Sequence, residues 1–313
     1  MRDKPDLVVI AGPTGVGKTA VAVALAARVP IEVISADSRQ VYRGMDAATG
    51  KPSATERAAV THHLIDVVEP DDGYQAARFR DAAAALIDAI RARGRLPVVV
   101  GGTGLYIRAL LRGLDPAPPA DPGFRRQLAA FAAREGRAAL HARLSAAAPE
   151  RARRLHPNDE VRVVRALEVL RTDAGVAEPT RWARPDGPYT AAYFGLTLDR
   201  TTLARRLHAR AAAFVAAGLP AEVERLLARG YDPALRALGS IGYREFVQVA
   251  LGRLTRDEAL RLMQRDTVRY AKRQWAWFLR EPDVTWMDID AVGGAAGAAR
   301  RIDADLRARG MLA

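Results

Sequence analysis

The sequence of 313 residues contains no cysteine and no long uninterrupted apolar run. The absence of cysteine excludes disulfides, zinc sites with Cys ligands and thiol nucleophiles. The apolar runs are short and interrupted by Arg or Gly, which is not the pattern of a membrane-spanning helix. The first residues, MRDKPDLVVIAG, lack the long apolar stretch of a signal peptide. We therefore expect a cytoplasmic protein that does not cross a membrane.

Lysine is also scarce, although the chain is strongly basic. Only four of its 48 basic residues are Lys, namely Lys4, Lys18, Lys51 and Lys272. The formal net charge is +12, and the excess is largest in residues 199–281, which contain 16 basic and nine acidic residues. A basic segment of this kind favours a polyanionic partner such as a nucleic acid.

Short apolar runs alternate with helical patterns along the chain. The runs are LVVIA (7–11), IEVIS (31–35), PVVVG (97–101), YFGLTL (193–198) and, more weakly, VTWMDI (284–289). This alternation predicts an α/β fold with a parallel sheet. Pro- and Gly-rich stretches at 113–123 and 175–189 enclose a segment with Ala, Arg and Leu at helical spacing. We expect a core formed by 1–114 and 191–313, and a mostly helical insertion at 115–190.

A phosphate-binding motif follows the first predicted strand and opens a helical segment. The segment GPTGVGKT matches G-x-x-x-x-G-K-[ST], the P-loop, whose backbone N–H groups and helix N-terminus bind phosphoryl oxygens. In this reading Lys18 reaches the phosphate as a point charge, and the Thr19 hydroxyl can ligate Mg²⁺. The predicted phosphate-binding residues are Gly12, Pro13, Thr14, Gly15, Val16, Gly17, Lys18 and Thr19.

The motif alone leaves the ligand open among ATP, GTP and a small organic diphosphate. A dinucleotide fingerprint, Gly15-x-Gly17-x-x-Ala20 with Asp37 further on, is a competing reading, but it leaves Gly12 and Lys18 without a role. The strand at 97–101 ends in glycines and Thr103 rather than in the metal-orienting acid of motor-type and switch NTPases, and Asp66 is a poor substitute. Those classes are therefore not favoured.

Asp37 follows the second predicted strand, at the sheet edge where open α/β sheets bind ligands. A carboxylate there can accept a proton from an attacking nucleophile while the P-loop holds the departing phosphate. The alternative is that Asp37 and Ser38 cap the next helix. The neighbouring P-loop favours the functional reading.

Seven segments fall in the order found in one protein family: GPTGVGKT, SADSRQVYRGMDAATGKP, HHLIDVVEP, VVVGGTGLYIRALLRGL, HPNDEVRVVRALEV, GSIGYREF and YAKRQWAWF. The chain thus resembles the bacterial tRNA dimethylallyltransferases from about residue 7 to residue 280. The resemblance implies transfer of a prenyl group from dimethylallyl diphosphate to N6 of the adenosine just 3′ of the anticodon, in tRNAs that read codons beginning with U. The phosphate would then be the diphosphate of a prenyl donor, with Mg²⁺ as cofactor.

The residues suit that chemistry, because charge develops on the leaving diphosphate and the amine must lose a proton. Asp37 would be the general base, and Lys18 would stabilise the diphosphate. The resemblance adds Thr14 as a diphosphate contact and an Arg after the strand at 193–198, for which Arg206 is the best match, with Arg210 one helical turn further on.

The tRNA anticodon stem-loop would need a basic surface. Lys272 and Arg273 supply cations next to three aromatic residues, and Arg162 and Arg165 are predicted to point outward while Val161, Val164 and Leu167 pack. The alternative to RNA binding is an amphipathic helix whose tryptophans are buried and whose cations are solvated. Together with Lys272, Arg273 and Gln274, the set predicted to contact tRNA includes the residues that the resemblance implies, namely Asp37, Ser38, Arg39, Gln40, Thr103, Val161, Arg162, Val163, Val164, Arg165, Gly239, Ser240, Ile241, Gly242, Tyr243 and Arg244.

The sequence also bears on a zinc site, on two rival functions and on the oligomeric state. A zinc site at the adjacent His62 and His63 is not favoured, because successive strand residues point to opposite faces. A P-loop small-molecule kinase and a prenyltransferase for free AMP are the rival functions, but neither gives a reason for the basic block. One P-loop and one RNA surface per chain predict a monomer.

Overall fold

A computed structural model describes residues 6–114, 118, 120–171 and 187–312 of the chain. The chain forms two compact units, one made of residues 1–113 and 186–313, the core unit, and one made of residues 114–185, the helical unit. The predicted insertion at 115–190 includes residues 115–117, 119 and 172–186, which lie outside the described residues. Residues 187–190 belong to the core unit, so the second boundary lies before the predicted one.

The described residues form six strands, which all belong to one parallel sheet. These strands are β1 (Asp6–Ala11), β2 (Ile31–Ala36), β3 (His62–His63), β4 (Leu96–Gly101), β5 (Thr190–Thr197) and β6 (Val284–Asp288). The order across the sheet is β3-β2-β4-β1-β5-β6. All five predicted runs form strands, and β3 at the edge is an additional one. The predicted α/β class with a P-loop-type parallel sheet is confirmed.

The helices cover the sheet and build the helical unit. Within the described residues they are α1 (Lys18–Ala26), α2 (Ala54–Ala59), α3 (Ala76–Ala92), α4 (Gly104–Arg112), α5 (Pro122–Glu135), α6 (Arg137–Ala147), α7 (Pro149–Arg153), α8 (Glu160–Arg171), α9 (Arg200–Ala216), α10 (Leu219–Ala228), α11 (Tyr243–Ala250), α12 (Arg256–Phe278) and α13 (Gly294–Ala308). No helix among these residues is both long enough and apolar enough to span a bilayer.

The central strands are buried on both faces, because helices pack on each side of the sheet. Strands β2 and β4 are buried along their whole length, and β1 is buried from Leu7 to Ala11. A parallel sheet covered on both sides requires such near-continuous apolar runs instead of alternation. The runs that made these strands recognisable in the sequence are therefore a consequence of their position in the fold.

The register places the carboxyl ends of three strands side by side. Ala11 of β1 and Ala36 of β2 both pair with Gly101 of β4. A Cβ at Gly101 would lie 2.1 Å from the carbonyl oxygen of Ala36, so only glycine fits there. The segments that follow these strands, including the phosphate loop after β1 and Asp37 after β2, consequently start from one edge of the sheet.

The helical unit has its own apolar core. Leu128 of α5, Leu140 and Leu144 of α6 and Val163 of α8 are all at most 1% exposed. Glu168 of α8 is buried among them and accepts hydrogen bonds from the Arg125 guanidinium at 2.8 and 3.0 Å. The mostly helical content predicted for this segment agrees with helices α5 to α8.

Candidate active site

The phosphate loop, residues 12–19, runs from the end of β1 into the first turn of α1. Its conformation needs glycine: Gly12 has φ +150° and lies so close to β5 that a Cβ would be 2.6 Å from the Leu196 carbonyl oxygen. The Lys18 Nζ donates hydrogen bonds to the carbonyl oxygens of Gly12 at 3.0 Å and Pro13 at 2.9 Å. The lysine is thereby folded over the loop, at the position where a bound phosphoryl group would meet it.

Burial sets the charge state of this lysine. The pKa of Lys18 is lowered to about 8, mainly by burial; the Asp37 carboxylate opposes the shift, and the Arg210 guanidinium adds to it. Desolvation disfavours the ammonium form of Lys18, although part of the residue remains accessible. A diphosphate in the loop would stabilise that form.

Thr14 in the phosphate loop is held from two helices of the core unit. Its backbone N–H donates to Gln274 Oε1 of α12 at 2.8 Å, and its Oγ1 accepts from Arg210 Nη1 of α9 at 3.3 Å. The Arg210 guanidinium also lies over Gly50, where a Cβ would be only 1.7 Å from Nη2. Two side chains that are distant from the loop in sequence therefore hold Thr14 in place.

Asp37 lies directly after β2 in a tight turn that does not continue into a helix. Its Oδ1 accepts hydrogen bonds from the backbone N–H groups of Arg39 at 2.8 Å and Gln40 at 3.3 Å. None of the described residues donates a hydrogen bond to the second carboxylate oxygen. The turn thus orients the carboxylate with one oxygen, which leaves the other available to a ligand.

One cavity of about 300 Å³ brings these groups together. Its polar lining includes Thr14, Asp37 and Arg210. Its apolar lining includes Leu207, Ala211 and Phe214 of α9, together with Ile241 and Met263. Tyr270 of α12 also lines it; burial, together with the Asp37 carboxylate, raises the pKa of Tyr270 to about 12. The cavity therefore combines an anion-binding loop, a carboxylate and a small apolar wall, which suits a donor with a charged head and an apolar tail.

The structure separates the two arginines that the sequence left as candidates on α9. Arg210 reaches Thr14 and lines the cavity. Arg206, the predicted diphosphate contact, instead pairs with Asp290 Oδ1 at 3.1 Å, in an exposed position with 45% of its side chain accessible. The geometry favours Arg210 for that role, because it is the guanidinium next to the phosphate loop.

Several residues predicted to contact tRNA are buried and serve the fold. Tyr243 is fully buried and donates its hydroxyl to Glu222, Gly242 donates its N–H to Glu245 Oε2 at 2.7 Å, and Ser240 is 5% exposed. Gln274, 6% exposed, contacts the phosphate loop instead. Ser240 and Tyr243 nevertheless line the cavity that also contains Asp37, so a tRNA contact at these four residues stays a prediction.

The remaining candidates in the core unit are more accessible. Arg244, Lys272 and Arg273 are exposed, and Ile241, Arg244 and Arg273 line the cavity. Gly239 is exposed, and Ser38, Arg39 and Thr103 lie at the cavity rim or beside it; the Ser38 N–H donates to Thr103 Oγ1 at 3.1 Å. Gln40 instead braces its own loop, with Nε2 donating to the Gly50 carbonyl at 2.9 Å. The tRNA contact at these accessible residues stays a prediction.

In the helical unit the predicted orientation of α8 is partly wrong. Arg162 is exposed as expected, but Val161 is 81% exposed, while Val163 is fully buried and Val164 packs at the edge of the core. Arg165 turns toward Glu168 and donates to the Pro118 carbonyl at 2.7 Å. The buried face of α8 therefore begins at Val163, whereas the sequence predicts that it begins at Val161.

The tryptophans and histidines outside the cavity have structural contacts. Trp275 and Trp277 are half-buried, with Arg200 over the first ring at 5.2 Å and Arg108 over the second at 4.2 Å. His63 Nε2 lies 2.6 Å from Glu32 Oε2, and His62 Nδ1 lies 2.8 Å from the Val60 carbonyl. Both tryptophans therefore pack against arginine side chains of the core unit.

Four residues shape the site in ways that the sequence does not predict, although it names Arg210 as a neighbour of Arg206 and Gln274 as a tRNA contact. Arg210 and Tyr270 line the cavity, Gln274 holds the loop, and Glu222 accepts from the backbone N–H groups of Asp46 at 3.0 Å and Ala47 at 3.1 Å. Only Arg210 had a signal in the sequence, as the second arginine on the face of Arg206. A single glutamine, glutamate or tyrosine in a helix has no motif that reveals such a contact.

The loop, carboxylate and arginine around one cavity define a P-loop protein with a candidate base beside its phosphate site. A family model described as IPP transferase matches residues 40–281, most of the chain. The tRNA dimethylallyltransferase 2 of Geotalea uraniireducens (strain Rf4) is 47% identical over 291 residues, covering 91% of this chain and 93% of that protein. The chain belongs to the IPP transferase family, as the resemblance in its sequence indicated.

Two further relatives agree with this assignment. The tRNA dimethylallyltransferase of Anaeromyxobacter dehalogenans (strain 2CP-C) is 50% identical over 285 residues, covering 90% of this chain and 94% of that protein. The crystal structure of the full-length tRNA isopentenylpyrophosphate transferase from Bacillus halodurans is 39% identical, with a TM-score of 0.73, and covers 98% of this chain and 99% of that one.

Proposed function

We propose that this protein transfers the dimethylallyl group of dimethylallyl diphosphate to N6 of the adenosine just 3′ of the anticodon in tRNA. The observation that carries the proposal is the cavity in which Thr14 of the phosphate loop, Asp37 and Arg210 lie together beside an apolar wall. The names of the relatives support it, since they are tRNA dimethylallyltransferases and a tRNA isopentenylpyrophosphate transferase.

In the proposed reaction the N6 amine attacks C1 of the dimethylallyl group. The bond between C1 and the diphosphate oxygen breaks, and the diphosphate leaves with the electron pair. The amine loses one proton, which the Asp37 carboxylate accepts. Asp37 suits this role because its Oδ1 is held by the N–H groups of Arg39 and Gln40, while its other oxygen has no donor among the described residues.

The leaving diphosphate gains charge as the C1–O bond breaks, so donors fixed around it lower the barrier most. The phosphate loop offers its backbone N–H groups and Lys18, and Arg210 is the guanidinium positioned at Thr14. Arg210 cannot lose its proton in a protein, so it remains a cation even though burial lowers its pKa. The apolar side chains Leu207, Ala211 and Phe214 would receive the dimethylallyl group.

A divalent cation fits this site through oxygen ligands. The described residues contain no group of three His, Cys, Asp or Glu side chains that could hold a metal ion, and a cation here would also take oxygens of the diphosphate and of water as ligands. The Thr19 hydroxyl, half-exposed in the first turn of α1, is the protein oxygen that the P-loop pattern assigns to Mg²⁺. When bound, Mg²⁺ would neutralise part of the charge on the diphosphate.

The acceptor would bind to the accessible cations of each unit. In the core unit these include Arg244, Lys272 and Arg273, and in the helical unit Arg162 is exposed. Phosphate contacts from such residues supply salt-dependent affinity, while the adenine must leave its stack to reach Asp37.

We expect the protein to act as a monomer, which its sedimentation at working concentration would test.

The test follows label from dimethylallyl diphosphate into tRNA with Mg²⁺ present, for the wild type and for Asp37→Asn. The amide keeps an oxygen for the N–H groups of Arg39 and Gln40 but cannot take up the proton, so turnover should fall by about 100- to 10,000-fold. Binding of tRNA and of the diphosphate should survive. Label transfer by the variant at the wild-type rate would remove Asp37 from the chemistry.

Two control reactions separate the rival functions. Free AMP replaces tRNA in the first, and ATP with small phosphate acceptors replaces the prenyl donor in the second. Label on AMP but not on tRNA would indicate a prenyltransferase for the free nucleotide. Phosphate transfer from ATP without prenyl transfer would indicate a small-molecule kinase.

A further inference from the structure

Gln274 occupies an unusual place for a residue of the basic helix α12. Its side chain is 6% exposed and lies between two segments at the carboxyl edge of the sheet. The Oε1 accepts the Thr14 N–H at 2.8 Å, and the Nε2 donates to the Gly102 carbonyl at 2.9 Å. One amide therefore joins the phosphate loop after β1 to the segment after β4.

The bridge made by the Gln274 amide depends on the glycine at position 102. A Cβ at Gly102 would lie 2.2 Å from Gln274 Nε2, so the glycine leaves the room that the amide fills. An amide matches both partners, since the Thr14 N–H needs an acceptor and the Gly102 carbonyl needs a donor. A side chain without both functions would leave one buried polar group unsatisfied.

The two preceding residues of α12 differ from Gln274 in burial. Lys272 and Arg273 are exposed, whereas Gln274 is buried on the side that faces the phosphate loop. Consecutive residues of a helix do not share a face. A helix that presents cations to solvent thus also holds the loop that would bind the donor.

We propose that Gln274 is a positioning residue that fixes the phosphate loop for the prenyl donor, and that it makes no contact with tRNA. The proposal rests on the proposed function only for the identity of the donor. With the Thr14 N–H held by Oε1, and Thr14 Oγ1 held by Arg210, the loop has its binding shape before a diphosphate arrives. Loss of the amide should therefore weaken diphosphate binding and leave tRNA binding unchanged.

Two variants and one matched control test this proposal. Gln274→Leu removes both hydrogen bonds, and Gln274→Glu keeps an acceptor for Thr14 but places an oxygen against the Gly102 carbonyl. The control is Gln264→Leu, the same change on the same helix, at a residue whose exposed amide donates only to the His208 carbonyl at 3.2 Å. Binding of inorganic pyrophosphate with Mg²⁺ is measured by calorimetry, and binding of a tRNA anticodon stem-loop by fluorescence anisotropy.

We expect both Gln274 variants to bind pyrophosphate about tenfold more weakly, because part of the binding free energy must then order the phosphate loop. Their affinity for the stem-loop should equal that of the wild type, and the KM for dimethylallyl diphosphate should rise while the KM for tRNA does not. Gln264→Leu should match the wild type in all of these. If Gln274→Leu does not fold, Gln274→Glu decides the matter.

Weaker binding of the stem-loop with unchanged binding of pyrophosphate would overturn the proposal, because Gln274 would then contact RNA. Unchanged binding of both ligands would overturn it as well. Pyrophosphate binding does not depend on prenyl transfer. A wild-type protein that transfers no prenyl group, together with a Gln274 variant that loses pyrophosphate, would refute the proposed function and leave the role of Gln274 intact.

Discussion

Replacing Arg210 and Arg206 separately tests which arginine of α9 serves the leaving diphosphate. The two lie one helical turn apart, yet their surroundings differ. Arg210 Nη1 donates to Thr14 Oγ1 at 3.3 Å and lines the cavity, whereas Arg206 pairs with Asp290 at 3.1 Å where both side chains are about half exposed. Arg210→Ala should therefore abolish most activity, and Arg206→Ala should not.

The expected magnitudes follow from these surroundings. A fixed donor aimed at charge that develops in the transition state contributes about 100- to 1,000-fold to kcat when one such donor is removed. An exposed ion pair such as that of Arg206 contributes about 0–1 kcal/mol to stability, because water and salt screen it. Arg210→Lys should recover only part of the rate, because an ammonium group cannot reproduce the planar, two-pronged donor geometry.

The assay measures single-turnover prenyl transfer to tRNA with saturating dimethylallyl diphosphate, so that the chemical step is observed. Stem-loop binding is measured beside it for both variants. A loss of turnover in Arg206→Ala as large as that in Arg210→Ala would refute the reasoning. Loss of stem-loop affinity in Arg210→Ala, with unchanged turnover, would refute it as well.

Three further predictions concern charged groups whose surroundings the structure defines. Because burial lowers the pKa of Lys18 to about 8, the free protein should bind dimethylallyl diphosphate about tenfold more weakly at pH about 9 than at pH about 7, as Lys18 loses its proton. The hydrogen bond from Arg93 holds the pKa of Glu32 at about 2. Glu32→Gln should therefore lower the free energy of unfolding at neutral pH by about 2 kcal/mol, which is less than the full pKa shift corresponds to because solvent screens the half-exposed Arg93. Glu222→Gln should lower it by about 1–2 kcal/mol, because two backbone N–H groups and the Tyr243 hydroxyl lose a charged acceptor.

Each of these has a measurement and a control. Calorimetry of dimethylallyl diphosphate binding against pH tests Lys18, and Lys18→Met should show a flat profile; an equally steep profile in that variant would assign the titration to another group. A phosphate monoester completes its ionisation near pH 6, so the donor itself does not titrate in this window.

Urea unfolding tests the two carboxylates, with Glu224→Gln as the matched control, since Glu224 is exposed on the same helix as Glu222. The Glu32 contribution is fully present above its unfolded pKa of 4.5 and is lost as pH falls toward about 2. The difference between Glu32→Gln and the wild type should therefore shrink on acidification. A difference that stays constant with pH would show that the carboxylate charge does not stabilise the fold.

The strands and the phosphate loop could be predicted because both have local signatures. Buried parallel strands need apolar runs such as PVVVG, and the loop needs its glycines and Lys18 at fixed spacing. Asp37 could be placed beside the loop because parallel strands end at one edge. Strand β3 has only two residues, His62 and His63, too few for a periodic signal.

The side chains that hold the loop could not be predicted, because their contacts join distant parts of the chain. Thr14 and Gln274 are 260 residues apart, and Thr14 and Arg210 are 196 apart. Spacing along α9 places Arg206 and Arg210 on one face but cannot say which of them reaches the loop. On α8, the choice of Val161 over Val163 for the core depended on the helix phase, which only packing against Leu140 and its neighbours fixes.

The most direct test of the central claim is the nucleoside composition of tRNA after reaction with this protein, Mg²⁺ and dimethylallyl diphosphate, analysed by liquid chromatography and mass spectrometry. Two transcripts of one tRNA are compared, with adenosine or guanosine on the 3′ side of the anticodon. We expect N6-(dimethylallyl)adenosine from the first transcript, none from the second, and none from either with Asp37→Asn on the same timescale. Prenylated adenosine in the guanosine transcript, or unmodified adenosine in both, would contradict it.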